Sequence, residues 1–247
     1  MSETLTLSAR CLRISARQVD ALLTSLLLPV LLMVMFVELF GGAIHTGTRY
    51  VSYVVPGVLV LCAGFGSTLT AVAVATDFGR AMVDRLRSMD VPPPALLAGH
   101  VVASAARNAA SGVLVLGVAL LLGFHGHVGP AGALAAIGLL LAFVLAVSWL
   151  AATIGVLARS PEAANGLTFV IMFLPYASSA FVPVATMPGW LRGFAAHQPI
   201  TPLSDALRGL LLGRPVGASA WIGLAWCAGI LVVSLAGSVA AVARRST

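Results

Sequence analysis

The stretch "TDFGRAMVDRLRSMDVPPP", Thr76 to Pro94, sets the organisation of the chain because it is unlike everything around it. Charged residues make up 9% of the 247 residues, where a soluble domain carries roughly 25%. Yet Asp77, Arg80, Asp84, Arg85, Arg87 and Asp90 stand almost together here, between long apolar runs. With 60% hydrophobic residues and a mean hydropathy of +1.03, the chain reads as a bilayer protein. The charged island then reads as a water-facing connection between two spans.

A helix that crosses lipid needs about 20 mostly apolar residues and satisfies its own backbone hydrogen bonds. Six segments meet that requirement: 21–40, 53–76, 99–123, 131–157, 165–182 and 219–242. The expectation is an all-α polytopic membrane protein, one transmembrane domain over 1–247. "GGAIHTGTR", "FHGHVGP" and "RSPEAANG" supply breaks rich in glycine and proline. Residues 1–20 are too polar and long for the basic region of a signal peptide, and no small-residue cleavage site follows the first apolar run. Leu5, Leu12, Val19 and Leu23 alternate there with Arg10, Arg13 and Arg17, the pattern of a helix lying in the membrane interface.

All fourteen basic residues are arginine. With the N-terminus inside, the inner side holds Arg10, Arg13, Arg17, Arg80, Arg85, Arg87, Arg159, Arg244 and Arg245. The outer side holds Arg49, Arg192, Arg208 and Arg214, and Arg107 falls within a span. The bias favours both termini in the cytoplasm. A net charge of +6 spread among spans is that orientation signal rather than a nucleic-acid footprint. Cys11, Cys62 and Cys227 are far apart, and His125 and His127 lack a third ligand, so neither a disulfide nor a metal site is read.

As a helix, the island places Phe78, Met82, Leu86 and Met89 on one stripe and Asp77, Arg80, Asp84 and Arg87 opposite. The acid-first i,i+3 pairs each add roughly 0.2–0.5 kcal/mol, and Pro92, Pro93 and Pro94 are expected to end the helix. Two readings stay open: a helix resting on lipid headgroups, and a docking surface for a cytoplasmic partner. Before the last span, Pro183, Pro188, Pro199 and Pro202 divide a long segment into two short amphipathic helices, "GWLRGFAAH" and "PLSDALRGLLLG". Ser204 is expected to cap the second, with Asp205 in its first turn and Arg208 following. Both helices read as outer re-entrant elements, with Trp190 in the aromatic belt.

The run from Ala158 to Gly213 resembles the signature region of ABC type-2 permeases, more narrowly the membrane subunits of daunorubicin-resistance-type drug and lipid exporters. "RSPEAANG", a proline shortly before "TMPGW", and "QPITPLSDALRG" carry the resemblance. It implies a coupling helix in the first cytoplasmic loop, with Asp77, Phe78, Arg80, Met82, Asp84, Arg85, Leu86 and Arg87 meeting a separate ATPase, and Arg159, Ser160, Pro161 and Glu162 assisting from the second loop. The family's first loop often opens with a run of glutamate, lysine and arginine; here that place holds only Asp77, followed by Gly79. Two ATPase copies would carry ATP and Mg, so this chain is expected to bind no cofactor and to be no enzyme itself. A second permease chain, membrane lipids and a hydrophobic drug-like or lipid substrate complete the implied partners, in a cell membrane.

A chain without lysine has no G-x-x-x-x-G-K-[ST] phosphate loop, so the energy must come from another polypeptide. Glu38 and Arg107 read as lying near span ends, where such side chains snorkel, with Glu38 also a candidate contact for a cationic substrate. Ser67 and His100 lack the G-x-S-x-G turn of an intramembrane hydrolase. An exporter of polysaccharide or wall polymer, and an accessory subunit that does not transport, stay open beside the drug or lipid exporter.

Overall fold

In the computed structural model, residues 9–13, 19–44, 47–79 and 93–244 are described, and among them all regular structure is helical. A helical run at 9–13 is followed by α1 (Val19–Phe40), α2 (Tyr50–Gly79), α3 (Pro93–Leu121), α4 (Pro130–Leu157), α5 (Pro161–Phe173), α6 (Gly189–His197), α7 (Ile200–Leu212) and α8 (Ser219–Arg244). Four stretches are long and apolar enough to cross a bilayer: Tyr50–Gly79, Ala95–Leu121, Pro130–Leu157 and Ser219–Val242. Ser25–Phe40 of α1 is a shorter apolar helix.

The architecture is a bundle around α2. Every residue from Tyr50 to Gly64 is buried, on all faces of the helix, and α1, α3, α4, α5 and α7 pack around it while α8 lies against α4 and α7. Hydropathy cannot separate such a hub from a lipid-facing span, because lipid tails and packed side chains are equally apolar. Small residues do separate them. A Cβ on Gly57 would lie 2.7 Å from the Cα of Ala180, and one on Gly155 of α4 would lie 2.5 Å from the carbonyl oxygen of Ala71. Backbones come this close only where a side chain is missing.

Helix limits follow local chemistry. Ser160 caps α5, its hydroxyl accepting from the Ala163 amide at 3.2 Å, with Pro161 at the first helical position and Glu162 in the first turn. Pro130 opens α4 in the same way. Pro93 and Pro94, expected to stop a loop helix, instead stand in the first turn of α3, where the missing N–H groups are not needed. α2 runs on to Gly79, so Asp77 and Phe78 belong to its last turn; residues 80–92 and 1–8 lie outside the described residues.

The fifth expected span, 165–182, is built differently. Its α-helix runs Pro161–Phe173, tightens into a 3-10 turn at Leu174–Ala177, and gives way to irregular backbone from Ser178. Pro175 has no N–H for a continuing α-helix and its ring collides with the preceding turn. α7 also starts earlier than expected: Pro199 takes the N-cap position, Ser204 lies buried inside the helix, and Asp205 is in mid-helix rather than in the first turn.

Gly57→Val should lower the midpoint of thermal unfolding, at a cost of about 1–3 kcal/mol for overpacking. Gly42→Ala, with nothing within 4 Å, serves as the control. Equal thermal stability of both variants in detergent would show that the α2 contact to Ala180 is loose.

Candidate functional site: polar anchors at the two ends of α2

One end of the bundle, the loop end, holds the C-terminus of α2, the start of α3, the α4–α5 turn and the C-terminal part of α8, where Ala241 packs with Val74, Phe78 and Leu96. There the Asp77 carboxylate accepts from His100 Nε2 at 3.0 Å and from Arg10 Nη1 at 3.4 Å. Three segments meet at one oxygen: the 9–13 run, the last turn of α2 and the first third of α3. Asp77 and His100 are mostly buried, and Arg10 is half-buried. Asp77 therefore faces inward, tying the root of the 80–92 connection to its own chain. Phe78 is buried in the same cluster. Cys11 is buried beside them, and burial pushes its thiol up to about 11, with Arg10 opposing and the Asp77 charge adding to the rise.

Arg107 is not near a span end. It sits at the middle of α3, its Nη2 donating to Thr70 Oγ1 at 2.8 Å and to the Gly66 carbonyl at 3.4 Å. It begins a seam of polar contacts along the interhelical faces. Asn108 Nδ2 bonds within α3 to the Ser104 carbonyl at 2.9 Å, while between helices the Ser148 hydroxyl of α4 donates to Ser104 Oγ at 2.8 Å and the Ser111 hydroxyl to the Ser25 carbonyl of α1 at 3.0 Å. Contacts of this kind hold helices together where no hydrophobic force acts between them.

At the opposite end, the irregular backbone after α5 is held by side chains from α2 and α7. The Tyr53 hydroxyl donates to the Ser179 carbonyl at 2.9 Å and the Tyr50 hydroxyl to the Phe181 carbonyl at 3.0 Å. Arg208 donates from Nη2 to the Ser179 carbonyl at 2.8 Å and from Nε to the Tyr53 carbonyl at 3.2 Å, its Cζ 3.8 Å over the Tyr53 ring. Asp205 pairs with Arg208 and accepts from the Ser179 hydroxyl at 2.8 Å. Thr201 Oγ1 accepts from the Ser179 amide at 3.1 Å, and Gln198 Nε2 donates to the Ala177 and Leu174 carbonyls at 3.2 and 3.3 Å. The "QPITPLSDALRG" run is thus a clamp.

Of the residues singled out from sequence, Asp77 lies in the loop-end anchor and Asp205 and Arg208 in the clamp. Arg80, Met82, Asp84, Arg85, Leu86 and Arg87 lie outside the described residues. Arg159 and Glu162 are at the α4–α5 turn, and hydrogen bonds from Ser160 and the backbone hold the Glu162 carboxyl below its ordinary value. Pro183 caps the 3-10 turn Val184–Thr186, Pro188 caps α6, Pro202 lies in the first turn of α7, and Trp190 is 81% exposed on α6. Glu38 is exposed on the same side of α1 as Leu27, Leu31 and Met35, away from the core. Sequence reasoning missed His100, Arg10, Tyr50, Tyr53, Gln198 and Thr201. A signal existed for Thr201: Thr201, Asp205 and Arg208 recur every three or four positions, one polar stripe on a mostly buried helix, with Gln198 just ahead of its start.

These features define a multi-pass membrane protein whose most buried helix joins two polar anchors. The ABC-2 type transporter family matches residues 2–212; the chain belongs to that family. It is 32% identical, over 86% of its length and 76% of the relative's, to the daunorubicin resistance ABC transporter permease protein DrrB1 of Streptomyces coeruleorubidus. It is 28% identical to the probable doxorubicin resistance ABC transporter permease protein DrrC of Mycobacterium tuberculosis, over 94% of this chain and 85% of that one.

Two outcomes test the anchors. With Cys62 and Cys227 replaced by serine, Cys11 should resist maleimide at neutral pH, and Asp77→Asn should label several-fold faster, since it both frees the 9–13 run and removes a charge that disfavours the thiolate. Unchanged labelling would remove Asp77 as the tether. Arg208→Lys keeps the charge but loses the fork, and should destabilise by about 2–3 kcal/mol, read as a fall in unfolding midpoint. Asp205→Asn, at a more exposed position, should cost less than about 1 kcal/mol.

Proposed function

We propose that the chain is the membrane permease subunit of an ATP-driven ABC exporter moving a hydrophobic drug-like or lipid substrate out of the cell. Family membership and relatives named for daunorubicin and doxorubicin resistance support this reading. The observation that carries the mechanism is the joining of Arg10, Asp77 and His100 at the root of the charged connection. A push on residues 80–90 enters the bundle through α2, α3 and the N-terminal run at once.

In this mechanism the chain crosses the membrane six times, α1 and α5 completing the count. Both termini lie in the cytoplasm, as the arginine bias favours, and α6 and α7 are re-entrant on the outer side. Arg80, Asp84, Arg85 and Arg87 make charge-assisted hydrogen bonds to the ATPase, while Met82 and Leu86 seat the loop helix. Arg159, Ser160, Pro161 and Glu162 form the second contact. Two ATPase subunits hold ATP and Mg, and a second permease chain, identical or related, completes the pore. Closure of the ATPases moves α2 and its neighbours as a rigid body and changes which side the path opens to.

Affinity purification in mild detergent should recover an ATPase chain in equal amount. Arg85→Glu with Arg87→Glu should reduce ATPase recovery and substrate-stimulated hydrolysis at least several-fold, with membrane insertion intact. Recovery of the permease pair without any ATPase would overturn the reading, and an unaffected double variant would return the loop to the headgroups.

A further inference from the structure

Arg10 and His100 reach the same atom. Arg10 Nη1 lies 3.4 Å and His100 Nε2 3.0 Å from Oδ2 of Asp77. The two contacts are unequal: the Arg10 side chain is 33% exposed, those of His100 and Asp77 10% and 15%. An arginine is charged at every pH a cell meets, whereas an imidazole gains or loses its charge between about pH 5 and 8. The carboxylate therefore has a permanent counter-charge on its open side and a conditional one on its buried side.

Neutral His100 gives Asp77 a hydrogen bond but no charge, and Arg10 neutralises the carboxylate. Protonated His100 neutralises it from nearer and from a drier position, where an ion pair is stronger. Arg10 then faces a neutralised acid with a second cation beside it. A half-exposed ion pair holds weakly to begin with. Because both nitrogens bond one oxygen, the exchange needs no turning of the carboxylate. The other ionisable groups nearby keep their state over this range. Burial pushes the Cys11 thiol up to about 11, so it stays protonated, and Arg107, two turns further along α3, acts on that thiol as a fixed charge. Arg159 and Glu162 are exposed at the α4–α5 turn. α4 has no ionisable side chain, and α8 has Cys227 in its first half and Arg244 at its last position. What these two helices bring to the adjoining cluster is apolar: Ala152, Val156 and Ala241.

The consequence falls on the 9–13 run. Of its five residues only Cys11 is buried, while Leu12 and Arg13 are exposed. Arg10 is thus its polar tie to the end of α2. We propose that the joint is a proton-operated latch: protonation of His100 shifts the counter-charge of Asp77 from Arg10 to His100, freeing the 9–13 run while α2 and α3 stay joined. At high pH a push on the 80–92 connection meets three joined segments, and at low pH two. The latch is a property of this chain alone; its use, a response of coupling to acidity at the loop end, rests on the exporter reading.

The test uses the full-length chain in lipid nanodiscs, with Cys11→Ala, Cys62→Ala and Cys227→Ala, and nitroxides on Arg13→Cys and Leu121→Cys, two exposed positions. Double electron–electron resonance should give one narrow distance at about pH 8 and a second, broader population at about pH 5, its share rising roughly threefold or more. His100→Gln, which keeps a donor but takes up no charge, should stay narrow at both pH values, and Asp77→Asn should be broad at both. A control pair, Leu121→Cys with Val239→Cys, should not respond. An unchanged wild-type distribution overturns the proposal without recourse to any variant. So do a response that survives in His100→Gln, a narrow distribution in Asp77→Asn, and an equal response of the control pair. ATPase recovery from the same preparations tests the exporter separately: its loss with the pH response intact counts against the exporter alone and leaves the latch standing.

Discussion

A backbone that leaves its helix inside a packed bundle has no water to bond to, and this one constraint organises the protein. At Pro175 the fifth apolar segment stops being an α-helix, leaving the carbonyls of Leu174, Ala177, Ser179 and Phe181 to find donors elsewhere. Each such group buried without a partner would cost about 1–3 kcal/mol. The donors come from Gln198, Tyr53, Tyr50 and Arg208, all on α2 or at α7. Arg208 answers two carbonyls, stacks on the ring of Tyr53 and pairs with Asp205, so the buried guanidinium of the clamp is itself compensated. α7, which supplies Thr201 and Arg208 to this repair, also packs against α2 and the last helix.

That repair has a mechanical consequence. α2 carries Tyr50 and Tyr53 at one end and Asp77 at the other, about 36 Å apart along the helix between Tyr53 and Asp77. The first pair holds the irregular segment, and Asp77 holds the N-terminal run and α3. α2 is one continuous helix, enclosed on every face over its first half, so a single element joins the loop end to the clamp. Burying a carboxylate at such a place is tolerable only with partners in reach, which His100 and Arg10 supply.

How much of this is legible in the sequence depends on whether a feature is local. Chain breaks and the membrane-length apolar runs are local, and they can be read; the Ser160–Pro161–Glu162 helix start is equally local, although the sequence there is read as a loop. The identity of the hub is not legible from hydropathy, since α2 and α8 are equally apolar by mean hydropathy, 2.1 for each, although one is central and the other is peripheral. Arg107 is misread for a related reason. It falls near a span end only if α3 begins after the prolines, at 99, whereas prolines fit the first turn; starting the helix at Pro93 moves Arg107 to the centre. The anchors at Asp77 and Arg208 join residues 23 to 155 positions apart, and one sequence does not hold such pairings.

The same distinction explains why the charged island is only half informative. Its pattern of opposite charges on one face and apolar residues on the other suits any amphipathic helix, so it cannot by itself separate a headgroup-resting helix from a docking surface. Asp77 shows what pattern leaves out: counted as one more charge on the polar face, it turns inward to His100 and Arg10 at the end of α2. A charge that anchors is identified by its partners, and those partners, His100 and Arg10, come from segments that the helical pattern of 77–90 does not include.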